Sequence, residues 1–539
     1  MSNRRLAGVL LLPALTALAC GGAPPTTGTA VRETPTYSAT PTPTAAQPAG
    51  RLILGIEYAH PSLAEEFRDS GASSAKPWPA DGKWKLYQSG PGQPYQWERY
   101  DEFVSAYQQA GIRHLTLVIG ADAEWAALDP PALLHRGDTF PKPEYEDDYA
   151  AFVQALVERY DGDGVDDMPG LLYPVTLFSF EGEYSTYWPG DAQEFIRLLQ
   201  LAYPAVKAAS PEAQVMPAGL LMTDVFDGLP SPEQVQARLA NPDSRIFDKS
   251  AADIALLLDH PELFDALDFH SLGDYSEIIP TTTWLRQEMA SRGYAKPIWI
   301  GDALNGATLN GWGPATCPKR ANSGFLGYPA TEADRCRVAA LLEALADEDH
   351  PQHTAAIAWM RAESAAGVVR KVVIAAEEGL AGINIGNTED WEPLMLTQGG
   401  AGTSPWQGMV DRNMFTRKLE GYRPAFYALG QVAEVIRGYV SVERLTGSDS
   451  KSYLYRFLLD DGRVVIVAWK DLGLWIEGDP PTSTETLVVG ANSASVRLEW
   501  TVTEGSSPRV EIREVQDGAL ALDLSSIPVF VWLEGALSP

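Results

Sequence analysis

Short strand-like runs alternate with longer segments of helical periodicity from residue 51 to about residue 438. In the longer segments apolar residues recur every three or four positions, as they do on the buried face of a helix. The eight predicted strands are LILGI (52–56), ASSAK (72–76), HLTLVI (114–119), VTLFSF (175–180), QVMPAG (214–219), ALDFHS (266–271), PIWIGD (297–302) and AGINIG (381–386). The predicted helices include RYDEFVSAYQQAG, EDDYAAFVQALVERY, AQEFIRLLQLAYPAVKAAS, TTTWLRQEMASRG and ESAAGVVRKVVIAAEEG.

The alternation of strands and helices predicts the architecture of this region. Strands that are separated by helices form βαβ units around a parallel sheet, and eight of them indicate a closed (β/α)8 barrel, or TIM barrel, with enlarged loops. The alternative is an open, doubly wound sheet, which the absence of a glycine-rich phosphate loop after the first strand weakens. The predicted fold class is therefore α/β, with a TIM barrel over residues 51–438.

The pattern changes after PAFYALGQVAEVIRG. From about residue 439 to residue 539, apolar and polar residues alternate in runs such as SYLYRFLL, RVVIVAWK and SVRLEWTV, joined by DDG and NSAS turns. A period of two is typical of half-buried antiparallel strands. Residues 439–539 are therefore predicted to form an antiparallel β-sandwich domain.

The first twenty residues resemble the signal peptide of a bacterial lipoprotein. Two arginines precede an apolar segment from Leu6 to Leu18, and small residues then lead to Cys20. The apolar segment is too short to span a bilayer. Cys20 is therefore the predicted lipidation site, with an ordinary secretory signal as the alternative. Residues 21–50, rich in Pro and Thr, are predicted to be a disordered tether.

These features predict an extracytoplasmic protein that a lipid holds at the membrane, at the cell surface or in the periplasm. In an oxidising compartment the other two cysteines, Cys317 and Cys336, are predicted to form a disulfide, and two unpaired thiols are the alternative. The formal net charge of -30 argues against nucleic acid as a partner, because like charges repel. Uncharged ligands such as carbohydrates are compatible with it.

Three carboxylates lie at the ends of predicted strands, where a (β/α)8 barrel carries its functional groups. Glu181 and Glu183 end the fourth strand within FSFEGEYSTYWPG, and Asp302 ends the seventh. Glycoside hydrolysis needs two carboxyl groups, one to protonate the leaving oxygen and one to attack the anomeric carbon or activate water. Hydrogen-bonded structural groups at the barrel rim are the alternative.

On these motifs most of region 51–438 resembles the clan A glycoside hydrolases. FSFEGEYSTYWPG is similar to the clan's fourth-strand ending, E-N-E or N-E-P with a tryptophan nearby, and TTTWLRQEMASRGYAKPIWIGDA is similar to its seventh-strand region. The resemblance implies an acid/base Glu after strand four, which the form E-N-E assigns to Glu183, and a nucleophile at the position of Asp302. Glu181 stays open as the acid/base, because strand alternation puts both glutamates on one side of an extended chain.

The sequence departs from the clan's pattern at both motifs. Gly182 stands where the clan has an Asn that contacts the sugar 2-hydroxyl, and Gly301-Asp302 stands where Thr-Glu is usual. An Asp side chain is shorter than Glu by one C–C bond, about 1.5 Å. The shorter side chain increases the distance between the carboxyl groups of Glu183 and Asp302. The pair then approaches the separation that accommodates a water molecule, or it is inactive.

The same resemblance implies sugar-binding groups at other strand ends and loops. Asp268, His270 and Asp274 lie at the end of the sixth strand, and Trp391 follows the eighth. Loop aromatic rings, which suit the apolar faces of sugars, are the further candidates: Trp125, Tyr184, Tyr187, Trp188 and Trp312. For each of them packing inside a loop is the alternative.

The run DGDGVDD resembles the opening of a calcium-binding loop. Asp161, Asp163 and Asp167, with the carbonyl of Val165, fall at alternating positions around glycine turns. The closing bidentate Glu is missing, and a solvated acidic turn is the alternative. The predicted chemistry requires no cofactor, and a structural Ca²⁺ is the one ion that the sequence suggests.

The sequence thus predicts a glycoside hydrolase that acts on an extracellular or cell-envelope glycan. A surface lipoprotein that binds carbohydrate after losing catalysis is the first alternative, and a structural envelope lipoprotein without a glycan site is the second. An open cleft that holds Glu183 and Asp302 within about 10 Å favours catalysis. A filled cleft favours the binding protein.

Overall fold

The described part of the chain forms a barrel of parallel strands followed by antiparallel sheets. The computed structural model describes residues 51–132, 135, 137–226, 230–240, 249–309, 332–391, 402–413, 416–448, 450–476, 478–489 and 494–533. The predicted signal peptide and tether lie outside the described residues, and so does Cys20.

Eight parallel strands form a closed barrel. In chain order they are β1 (Ile53–Ile56), β2 (Ser74–Ala75), β3 (His114–Ile119), β4 (Leu177–Glu183), β5 (Gln214–Leu221), β6 (Leu267–Ser271), β7 (Ile298–Leu304) and β8 (Gly382–Gly386). Strand β1 pairs with β2 on one side and with β8 on the other, which closes the cylinder. The predicted TIM barrel is therefore confirmed, and the open doubly wound sheet is wrong.

Helices cover the outside of the barrel. The described helices are α1 (Ala64–Asp69), α2 (Glu98–Gln109), α3 (Glu146–Tyr160), α4 (Tyr184–Tyr187), α5 (Ala192–Ala209), α6 (Thr223–Phe226), α7 (Pro232–Ala240), α8 (Ala251–Leu258), α9 (Ile278–Ser291), α10 (Glu332–Ala346), α11 (His353–Glu377) and α12 (Pro424–Gly438). Helix α5 begins with a capping box, in which Asp191 accepts from the Glu194 N–H and Glu194 accepts from the Asp191 N–H. This exchange satisfies two N–H groups that have no partner inside the helix.

The interior of the barrel changes from apolar to polar along its axis. Where the strands begin, the buried cluster consists of Leu177, Met216, Ala266 and Trp299. Toward the strand ends the buried residues include ionisable ones: Glu57, Lys76, Asp268, His270 and Asp302. Buried charges need partners, so the C-terminal end of the barrel holds a connected set of ionisable groups.

The C-terminal region contains two antiparallel sheets. Its strands are β9 (Tyr439–Arg444), β10 (Ser452–Leu459), β11 (Val464–Lys470), β12 (Ser483–Val488), β13 (Ser495–Trp500), β14 (Val510–Glu514), β15 (Ala519–Leu524) and β16 (Val529–Leu533). Six of them form one sheet in the order β9-β10-β11-β16-β13-β14, and β12 pairs with β15 in a second sheet. The predicted antiparallel sandwich is therefore confirmed as a fold class.

Alternation along β10 and β11 places the two faces of the larger sheet in different environments. Tyr455 and Val467 belong to the barrel's hydrophobic cluster, whereas Leu454 and Ile466 pack in the core between the two sheets. The larger sheet is therefore the layer that joins the two regions. Among the described helices, none is long and apolar enough to cross a bilayer.

Candidate active site

A bulge at the end of β4 separates the two glutamates. Phe180 pairs with Pro217 and Glu183 pairs with Gly219, so β4 holds one residue more than β5 over this stretch. Glu181 lies in the bulge with a φ of 64°, and this left-handed backbone breaks the alternation of the strand. The expectation that both side chains share one direction is therefore wrong.

Glu181 turns toward the end of β3. One of its carboxylate oxygens accepts a hydrogen bond from the Ala121 N–H at 2.7 Å. Burial raises the pKa of Glu181 to about 7, against the opposing effect of this hydrogen bond. Glu181 is therefore a carboxyl group that is able to carry a proton near neutral pH.

Glu183 turns instead toward β6. Its Oε2 lies 2.7 Å from Nδ1 of His270, and its other oxygen accepts from the Thr186 hydroxyl. On the far side of the imidazole, Nε2 lies 3.8 Å from Oδ2 of Asp268. Burial alone lowers the pKa of His270, but the two carboxylates outweigh it and raise the pKa to about 10. His270 is therefore a cation at neutral pH, held between two acids.

A second bulge turns Asp302 into the barrel. His270 pairs with Asp302 and Phe269 pairs with Ile300, so Gly301 is the extra residue of β7. Because of this extra residue, Asp302 lies beside His270 and its Oδ2 accepts a hydrogen bond from the Tyr58 hydroxyl. The sequence analysis did not predict this bulge, although it decides where Asp302 points.

A buried ion pair lies close to Asp302. Lys76 Nζ is 3.2 Å from Oε1 of Glu57 and donates to the Gly301 carbonyl, also at 3.2 Å. Burial raises the pKa of Glu57 well above its usual range, Lys76 opposes that effect and Asp302 adds to it. The lysine therefore compensates the acids in this part of the site and also holds the backbone of the β7 bulge.

Neighbouring groups occupy the space that the clan's side chains would need at Gly182 and Gly301. A Cβ on Gly182 would lie 2.8 Å from Cβ of Pro79, and a Cβ on Gly301 would overlap the Asp268 carboxylate. Both contacts are too close for a real side chain. The two departures from the clan's pattern are therefore built into the packing of this site.

We expect Gly301→Thr, which restores the clan's residue, to destabilise the fold. The new side chain must displace the buried Asp268 carboxylate, and overpacking of this kind costs about 1–3 kcal/mol. Urea unfolding measures the difference. Gly430→Ala is the matched control, because a Cβ there lies 3.8 Å from the nearest atom, the Ser70 carbonyl oxygen; equal losses in the two variants would contradict the explanation.

An aromatic cluster stands next to Asp302. The ring of Tyr58 lies 4.4 Å from that of Trp78 and 5.3 Å from that of Trp391. Trp78 is exposed and Trp391 is half-buried. Tyr187 is 70 % exposed, and it interacts electrostatically with Glu183 and Asp302. Tyr187 and Trp391 are thus the predicted aromatic residues that the structure brings near the two carboxylates.

The other predicted aromatic residues lie elsewhere. Tyr184 and Trp188 are fully buried and pack against Phe195 of α5, at 4.8 and 5.4 Å between ring centres. Trp125 is half-buried and packs against Trp84 at 4.6 Å. Their rings pack inside loops, which was the alternative to sugar binding for each of these residues. Trp312 lies outside the described residues.

Asp268 and Asp274, both predicted to bind sugar, are buried. Asp268 lies beneath His270 in the barrel interior. Asp274 accepts from the Ser276 N–H at 3.2 Å, and its neighbour Tyr275 packs against Tyr453 of the C-terminal region, 5.4 Å away. The structure therefore places Asp274 at the junction of the two regions and not beside Glu183.

The acidic run of the predicted calcium loop does come together. Ligand oxygens of Asp161, Asp163 and Asp167 lie within 4.8 Å of one another. The same carboxylates accept hydrogen bonds from backbone N–H groups of their own turn, among them Asp167 from the Gly164 N–H at 2.8 Å and Asp163 from the Val165 N–H at 2.7 Å. Both the calcium site and the solvated turn fit this geometry, and calcium stays a prediction.

The predicted disulfide also stays a prediction. Cys336 lies in helix α10, and Cys317 lies outside the described residues.

Sequence reasoning missed Tyr58, Lys76 and Trp78. Tyr58 lies two residues after the end of β1, and Lys76 and Trp78 follow β2. Their position in the sequence could have identified them, because polar and aromatic residues at the C-terminal ends of barrel strands line the functional end of this fold.

Comparison with solved structures agrees with this geometry. A family 39 glycoside hydrolase from Bacteroides cellulosilyticus WH2 matches with a TM-score of 0.56 at 15% identity, covering 89% of this chain and 81% of the other. The chain has the fold of the clan A glycoside hydrolases. A glucosidase from Croceicoccus marinus shares this fold, with a TM-score of 0.52 at 11% identity, covering 90% of this chain and 96% of the other. So does a monomeric β-xylosidase from Caulobacter crescentus CB15, with a TM-score of 0.51 at 14% identity, covering 90% of this chain and 97% of the other.

At these identities the likeness establishes only the fold. It confirms the predicted resemblance to the clan A glycoside hydrolases at the level of the fold. No protein-family model and no curated protein sequence matches the chain.

Proposed function

We propose that this protein hydrolyses O-glycosidic bonds, with Glu183 and Asp302 as the two reacting carboxyl groups. One observation supports the proposal above all. His270 lies beside both groups, because it contacts Glu183 through Nδ1 and its Cα pairs with that of Asp302 between β6 and β7. Two acids at the C-terminal end of a closed barrel match the arrangement that glycoside hydrolysis requires.

In the proposed reaction the Glu183–His270 pair supplies the proton. Their 2.7 Å contact lets a proton shared between Nδ1 and Oε2 pass through Glu183 to the leaving oxygen. Asp302 attacks the anomeric carbon or takes a proton from a water molecule. The Tyr58 hydroxyl, which donates to Oδ2 of Asp302, holds that carboxylate in a fixed orientation.

The proposed substrate is a neutral glycan outside the cytoplasm. The exposed rings of Trp78 and Tyr187 beside the carboxylates offer flat surfaces that suit the apolar faces of sugar rings. The structural neighbours include a glucosidase and a β-xylosidase. Glucosides and xylosides are therefore the first substrates to test.

Limited access to the carboxylates supports carbohydrate binding without turnover as a second candidate. Glu183 is 6 % exposed and Asp302 is 4 % exposed, and Tyr58 already occupies one oxygen of Asp302. A protein that binds glycan over Trp78 and Tyr187 would not need these acids to be open.

A panel of nitrophenyl glycosides, together with a glycan array, separates the two candidates. Hydrolysis of at least one β-glucoside or β-xyloside, with a rate proportional to enzyme concentration, is the expected result. Glycan binding with no turnover across the panel supports the binding protein instead. If the protein neither binds nor hydrolyses any glycan tested, both candidates are contradicted and the structural lipoprotein remains.

We also propose that a lipid on Cys20 anchors the protein outside the cytoplasm. The basic and apolar segments before Cys20 support this anchor. We expect Cys20→Ala to abolish labelling by radioactive palmitate in a bacterial host and to release the protein from the membrane fraction. Cys336→Ser is the matched control and should remain labelled. Labelling of Cys20→Ala would contradict the anchor.

A further inference from the structure

We propose that Asp268 is a positioning residue that acts on both reacting carboxyl groups, on Asp302 through the β7 backbone and on Glu183 through His270. The inference rests on the proposed function and names a residue that touches neither reacting group itself. Asp268 is 0 % exposed, so any effect of its charge is exerted inside the barrel.

The first contact of Asp268 holds the β7 bulge. Its Oδ1 accepts a hydrogen bond from the Gly301 N–H at 2.6 Å, and its carboxylate fills the space that a side chain at position 301 would need. Gly301 is the extra residue that turns Asp302 inward. The hydrogen bond therefore stabilises the backbone conformation on which the direction of Asp302 depends.

The second contact of Asp268 acts on His270. Oδ2 of Asp268 faces Nε2 of His270 at 3.8 Å, and this oxygen has no hydrogen-bond partner among the described residues. A buried negative charge at this distance favours the protonated imidazole. The proton that His270 shares with Glu183 is thus held in place from the opposite side of the ring.

The remaining charges around His270 do not replace Asp268. Glu183 bonds Nδ1, on the other side of the ring, and the buried Glu57 interacts with His270 from β1. Lys76 interacts electrostatically with Asp268, Glu57 and Asp302. Without Asp268, Glu183 and Glu57 are the acids that still act on His270, and neither of them faces Nε2.

Asp268→Asn separates the charge from the hydrogen bond. The amide oxygen is able to accept from the Gly301 N–H, so the bulge is preserved, while the negative charge opposite Nε2 is lost. Asp268→Ala removes both contacts. A merely structural role predicts that the Asn variant behaves like wild type and that only the Ala variant is impaired.

The pKa of His270 is the deciding measurement. NMR of ¹⁵N-histidine-labelled protein titrates the seven histidines, and His270→Asn identifies the resonance. We expect Asp268→Asn to lower the pKa of His270 by about 1–3 units. Asp274→Asn removes an equally buried acid at the junction of the two regions and should leave this resonance unchanged. An unchanged pKa in Asp268→Asn overturns the proposal.

The pH dependence of stability gives a second measurement that needs no substrate. The pKa of His270 in the folded protein, about 10, lies above the unfolded value of about 6.5. Its stabilisation is therefore complete below about pH 6.5 and is lost as the pH rises toward 10. We expect the melting temperature of Asp268→Asn to fall less over this interval than that of wild type. Parallel curves for the two proteins contradict the proposal.

These measurements also separate the proposal from the proposed function. If wild type hydrolyses a glycoside, the alkaline limb of its pH–rate profile should move to lower pH in Asp268→Asn by the shift that NMR reports. If wild type hydrolyses none but the pKa of His270 falls as expected, the function fails while the control of the imidazole by Asp268 stands. An alkaline limb that does not move, in an active enzyme, contradicts the coupling to Glu183.

Discussion

Glu183→Gln should lower the rate of hydrolysis by about 10²–10⁴-fold, the range that one positioned acid or base contributes. The glutamine keeps the shape of the side chain but cannot pass a proton from His270 to the leaving oxygen. The loss should be largest for alkyl glycosides and small for dinitrophenyl glycosides, because a dinitrophenolate departs without protonation. Initial rates on the two substrate classes measure this difference.

Two further variants make this result specific. Glu288→Gln replaces a buried Glu on α9 that pairs with Arg292. This Glu lies far from the strand ends, so the substrate dependence should be unchanged. Glu181→Gln tests the other assignment, which the raised pKa of Glu181 keeps open. If Glu181→Gln shows the leaving-group dependence and Glu183→Gln does not, the acid/base is Glu181.

Asp302→Ala should lower the rate by about 10³-fold or more for every leaving group. This variant removes the group that attacks the anomeric carbon or activates water, and neither task depends on the departing alcohol. Added azide should restore turnover and give a glycosyl azide, because the small anion enters the space that the carboxylate leaves. The rate with and without azide, and the product by NMR, are the measurements.

The first-formed anomer of the wild-type product then distinguishes the two roles of Asp302. Retention of configuration identifies a nucleophile and inversion identifies a base that activates water. Asp259→Ala, which removes an exposed carboxylate that pairs with Arg292, is the control and should neither lose activity nor respond to azide. A fully active Asp302→Ala would remove Asp302 from the mechanism.

The barrel was predictable because buried parallel strands carry a strong local signal. AGINIG and HLTLVI are short apolar runs, and each lies within one residue of an observed strand. The rule that functional groups lie at the C-terminal strand ends then selected Glu183, His270 and Asp302. All three meet at that end of the barrel.

The directions of the side chains were not predictable from the same pattern. Extended-strand alternation put Glu181 and Glu183 on one side, and the bulge at Glu181, with its φ of 64°, turned one of them toward β3. Nothing in FEGE signals a left-handed glutamate. The bulge depends on the pairing of β4 with β5, which is a contact between distant segments.

The sequence by itself determined the strands and helices of this protein, the change from barrel to sandwich, and which acids stand at strand ends. These features follow from hydrophobic periodicity and residue order, which are local along the chain. Only the tertiary structure decided that Asp268 fills the space beside Gly301, that Pro79 covers Gly182, and that Tyr58 reaches Asp302. Such contacts join residues far apart in the chain, and they form only when closure of the barrel brings all eight strand ends together.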